Sequence, residues 1–84
     1  MYSVDIDSEV DEQISALPAA ALPSFAELMV LLEVAPWSGN AYNRKRPEAN
    51  MRTQTFGNDH EGLVIYLVIE DQRRVSVVRV IWGG

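Results

Sequence analysis

Eighty-four residues close one hydrophobic core, so residues 1–84 read as a single domain burying roughly 60–65% of its unfolded surface. An apolar fraction of 48% excludes a disordered chain, and the absence of cysteine excludes both a disulfide framework and a thiolate metal site. A net charge of −5 excludes nucleic-acid binding by bulk attraction, so any contact with phosphate has to be local.

"MYSVDI" alternates Tyr2, Val4 and Ile6 against Ser3 and Asp5, the pattern of a short half-buried strand. It lacks the apolar stretch of a secretory signal, and "LVIYLVI", the longest apolar run, falls far below the ~20 residues that span a bilayer. A soluble, cytoplasmic protein with no membrane partner is expected. In "DSEVDEQISALP", Asp7 or Ser8 caps a helix whose stripe is Val10, Ile14 and Leu17, and Pro18 stops it. "AAALPSFAELMVLLEVAPW" is a longer second helix, with Leu22, Phe25, Leu28, Met29 and Leu32 inward and Glu27 and Glu33 facing water. Pro23 falls in its first turn and Pro36 ends it.

"PWSGNAYNRKRPEAN" is a loop of about a dozen residues, a length that is often functional in a compact domain. Three strands follow: "NMRTQTFG", then "GLVIYLVIE", apolar on both faces as a central strand should be, then "RRVSVVRVIW". The short polar turns between them make antiparallel neighbours. The order β-α-α-β-β-β defines an α+β fold: a helical hairpin packs on one face of an antiparallel sheet and leaves the other face open.

Charge divides sharply along the chain. Residues 1–43 carry seven acids and no base, whereas residues 44–84 carry seven bases against five acids. Either this marks a surface that meets an anion on one side, or the acids simply solvate the helices. The catalytic inventory is thin. His60 sits in a turn between Asp59 and Glu61, and alone it makes no zinc site. No phosphate-binding glycine loop is present, and no cofactor or metal is expected. Arg44, Lys45 and Arg46 on the loop, with Arg52 on the next strand, suit a phosphodiester. Arg79 interrupts an apolar strand on the face of Val75, Val77 and Ile81; it is either paired with a helix acid or set into a groove. Tyr42, Trp37, Phe56 and Trp82 are candidates for stacking on a base.

The element order, the "LP" after the first helix, "LLEVAPW" and "MRTQTFG…GLVIYLVIEDQRRVSVVRVIW" together resemble the RelE/ParE superfamily of type II toxin–antitoxin toxins, in particular its short actinobacterial members. The resemblance covers nearly the whole chain and is most specific over residues 51–82. It implies a cytoplasmic toxin neutralised by a cognate antitoxin. RelE-like members cleave mRNA on the ribosome without a metal, and ParE-like members poison DNA gyrase instead. For the first activity the resemblance nominates Arg52 and Arg79 as catalytic. Arg44, Lys45, Arg46 and Gln54 would contact RNA, with Gln54 standing where a second basic residue is usual. Gly62-Leu63 and Gly83-Gly84 fall where further basic and tyrosine residues are expected. The alternative is a binding module, either a gyrase poison or a toxin without catalysis. The sequence leaves a homodimer open.

Overall fold

The computed structural model describes all of residues 1–84. In chain order the elements are β1 (Ser3–Asp5), α1 (Ser8–Ser15), α2 (Leu22–Val34), β2 (Asn40–Ala41), β3 (Met51–Phe56), β4 (Gly62–Ile69) and β5 (Arg74–Trp82). Local chemistry sets the helix ends. The Asp7 carboxylate accepts the Val10 backbone N–H at 2.8 Å, satisfying one of the donors that the start of α1 leaves orphaned. A single 3₁₀ turn, Ala19–Ala21, leads into α2, whose second residue is Pro23, where a missing N–H costs nothing. The helix stops at Val34, and Ala35, the residue before Pro36, sits outside the helical region with φ −145°. Between the two helices the chain changes direction by 109°, so the hairpin is a splayed one.

The five strands form one sheet in the order β1-β5-β4-β3-β2. Two features depart from the expected β-α-α-β-β-β order and its all-antiparallel pairing. β1 runs parallel to β5, because the chain leaves β1 through both helices and three more strands before returning beside it. Two residues of the long loop also form a strand of their own, with Asn40 opposite Thr53 and Ala41 opposite Arg52.

Both helices lie on one face of the sheet and share a single core. Val10, Phe25, Leu28 and Leu32 from the helices, with Leu17 from the link after α1, pack with Val64, Tyr66, Val68, Val75, Val77 and Val80 from the sheet. Phe56 joins them, edge-on to Phe25 with ring centroids 5.4 Å apart and 5.7 Å from the Trp82 ring. Leu22, expected in the inward stripe of α2, is instead 46% exposed, while Val30 and Val34 on its outer side are 57% and 62% exposed.

Register fixes which side chains share a face. Rows Arg52–Tyr66–Val77 and Gln54–Val64–Val80 point to the helix side, whereas Thr53–Ile65–Arg79 and Thr55–Leu63–Ile81 point to the open side. The ladder slips by one residue between Ile65 and Tyr66, so Val78 is an extra residue in β5. Val78 and Arg79 are consequently both exposed, one after the other. This corrects the placement of Arg79 beside Val75 and Val77: the bulge separates them, and Arg79 shares its face with Ile81 alone of that set.

Candidate functional site

Arg52 and Arg79, the pair nominated for chemistry, lie on opposite faces of the sheet. Arg52 is an organiser of the long loop. Its Nε and Nη2 donate to the Gly39 carbonyl at 3.2 and 2.6 Å, and its Nη1 donates to the carbonyls of Pro47 and Ala49 at 3.0 and 3.1 Å. The guanidinium also lies 5.4 Å from the centre of the Trp37 ring. One side chain thereby ties both ends of the 39–49 segment to β3. Gln54 does similar work, donating to the Ser38 hydroxyl at 3.2 Å. Gly39 is required by close approach: a Cβ there would lie 2.6 Å from the Thr53 carbonyl and collide with the Tyr66 hydroxyl. That hydroxyl donates to the Pro36 carbonyl at 2.6 Å. Burial raises the Tyr66 pKa above its ordinary value, against opposing pulls from Arg52 and from its hydrogen bond with Gly39.

Trp37 links this anchor to a second cluster. Its indole N–H donates to Glu70 Oε1 at 2.7 Å, and the same oxygen accepts the Tyr2 hydroxyl at 2.5 Å. Arg73 approaches the other Glu70 oxygen at 3.6 Å and lies 5.1 Å from the centre of the Tyr2 ring. The hydrogen bond from Tyr2 first, and that from Trp37 second, hold the Glu70 carboxyl below the usual glutamate range. The bond to Glu70, then burial, push the Tyr2 phenol up.

The open face is different in kind. Met51, Leu63, Ile65, Leu67 and Ile69 rise from β3 and β4, with Val78 and Ile81, 43% and 40% exposed, beside them on β5. Arg79 stands among them without an acid partner; the expected pairing with a helix carboxylate fails because Glu27 and Glu33 are on the far side of the sheet. Two recesses open on this face and share Tyr42. One, of about 360 Å³, is bounded by Tyr42, Met51, Ile65, Val78, Arg79 and Ile81. The other, of about 550 Å³ and more polar, is bounded by Asn40, Ala41, Tyr42, Arg44, Pro47 and Thr53. Arg44 and Arg79 therefore flank one half-exposed tyrosine ring. Lys45 and Arg46 are exposed on the turn beyond it, where the Asn43 side chain accepts the Lys45 backbone N–H at 3.0 Å.

Of the sequence-nominated residues, the structure gathers Arg79, Arg44 and Tyr42 at one site and removes Arg52 and Gln54 to a structural one. Asn40 and Thr53 join the site without having been singled out. Their signal was the pairing of β2 with β3, which two residues of loop do not announce. His60 is exposed in its turn with φ 60°, its Nδ1 2.9 Å from the Thr55 hydroxyl. No three histidine or carboxylate side chains gather as a metal site.

Two helices on one face of a mixed five-stranded sheet, with a long anchored loop beside the bare face, define a RelE-like α+β domain. The chain superposes on the isolated RelE toxin of E. coli with a TM-score of 0.78 at 14% identity, covering 100% of this chain and 86% of that one. A double arginine-to-alanine mutant of the E. coli RelE toxin in the free state gives a TM-score of 0.73 at 17% identity, covering 94% of this chain and 80% of that one. At these identities the likeness is one of fold. No protein-family model matches the chain, and no curated protein matches it in sequence.

Proposed function

We propose that this chain is the toxin of a type II toxin–antitoxin system, held by a cognate antitoxin in the cytoplasm, and that it works by binding a protein target at the open sheet face without cutting RNA there. The toxin assignment is supported by the fold it shares with E. coli RelE toxin. The mode of action is carried by one observation, the placement of Arg52 and Arg79 on opposite faces. Metal-independent RNA cleavage needs a base to take the 2′-hydroxyl proton and a cation on the same phosphate. Arg52 faces away, its guanidinium already donating to the loop carbonyls. The two open-face recesses are bounded by no histidine, lysine or carboxylate. What they offer is an apolar surface with two free arginines, a composition that suits a protein partner such as DNA gyrase.

The position of Tyr42 favours a second reading, in which the chain is a ribosome-dependent mRNA endonuclease. A base stacked on that ring would place its phosphates within reach of Arg44 and Arg79. The two readings separate on induced expression in a bacterial host lacking the antitoxin, with primer extension on a reporter mRNA. Growth arrest with intact mRNA, relieved in an Arg79→Ala variant, is the expected result. New mRNA ends that vanish in Arg79→Ala and in Tyr42→Ala would overturn it in favour of the nuclease. Absence of arrest would remove the toxin assignment itself.

A further inference from the structure

We infer that the outer side of α2 docks on the open sheet face of a second copy, so that the free protein covers its own binding face head to tail. A helix apolar all round is normally a buried one, and α2 comes close to that: its inner side is core, and its outer side carries Ala26, Val30 and Val34 one turn apart. Glu27 and Glu33 are its only charged residues and flank that outer stripe. The open face presents the complementary set, with Ile65, Val78 and Ile81 as apolar floor and Arg79 and Arg44 as unpaired cations. Thirteen residues of α2 make a rod of about 20 Å, shorter than the roughly 27 Å of an eight-residue strand such as β4.

Charge decides the manner of pairing. Two α2 helices packed on each other would set Glu27 and Glu33 against their own copies, and two open faces would bury Arg79 opposite Arg79. Helix against sheet instead turns the two acids of α2 toward the face that carries the unpaired arginines. Such a contact is heterologous, so copies add in rings or chains as concentration rises. The self-association stands independently of the toxin assignment; only its consequence, a target site closed in the free protein, rests on that reading.

Sedimentation velocity on the full chain tests it, with two surface variants, Val34→Asp on the helix and Arg79→Glu on the sheet, each confirmed as folded by circular dichroism. The wild type should gain mass with concentration into the high micromolar range, and added salt should weaken the association. Each variant alone should stay monomeric, because each has lost one half of the contact. Mixed in equal amounts they should form a complex of two chains, since each supplies the half the other lacks. A wild type that stays monomeric throughout would overturn the inference. So would a dimer that Arg79→Glu leaves intact, or a mixture of the variants that fails to pair. Self-association without toxicity would sink the toxin assignment alone, and toxicity from a strict monomer would sink the docking alone.

Discussion

Arg52 and Arg79 are the same residue on two strands of one sheet, β3 and β5 on either side of β4, yet one is spent on structure and the other is free. Arg52 sits at the sheet margin where a loop folds over it, and its N–H groups meet carbonyls that would otherwise lack partners. Arg79 sits where no element covers the sheet, and a one-residue bulge turns it outward. A cation is therefore available for binding according to the cover above it, and the strand pattern alone does not tell which kind it is.

The contrast can be broken by substitution. Arg52→Ala removes four hydrogen bonds and leaves the carbonyls of Gly39, Pro47 and Ala49 to find water; at roughly 1 kcal/mol or a little less for each, it should cost about 3 kcal/mol. In a domain of this size that is a fall of more than 10 °C in thermal midpoint. Arg79→Ala, exposed and unpaired, should change stability by about 0.5 kcal/mol or less. Equal losses in chemical denaturation would show that the distinction is false.

The Glu70 cluster sharpens the comparison between them, since Trp37 belongs both to it and to the Arg52 anchor. Glu70 is held below the usual glutamate range, so the unfolded chain takes up its proton at higher pH than the folded one. The stabilisation is thus present above the ordinary glutamate pKa and is lost as pH falls through the folded value. Tyr2 is raised, so its contribution is present below pH 10 and is lost as pH climbs above that. Thermal midpoints measured across pH should fall at both ends, and Glu70→Gln should flatten the acid limb. An unchanged acid limb in that variant would mean that other carboxylates control it.

Much of the frame was legible in advance. The N-cap aspartate, the prolines bounding α2 and the doubly apolar β4 are local signals, and local signals set element ends. What escaped was non-local. β1 is parallel because of where the chain returns, which three alternating residues cannot encode. The partners of Arg52 are backbone carbonyls, which every residue possesses, so no sequence pattern marks them. Arg79 misled because alternation was counted straight through β5, and a bulge is defined by two strands together. A helix acid then stood as one of its two possible settings, when the sheet itself stands between Arg79 and the helices.

The bulge also bears on how the strand tolerates changes in length. With Val78 inserted, Val77 faces the core, Val78 and Arg79 face out, and Val80 returns to the core. Removing Val78 would restore simple alternation from Val75 to Trp82 without moving any remaining side chain to the other face. A frame-preserving deletion in the middle of a strand is normally ruinous; here the loss of either of the adjacent Val77 and Val78 yields the same chain and should leave the fold intact.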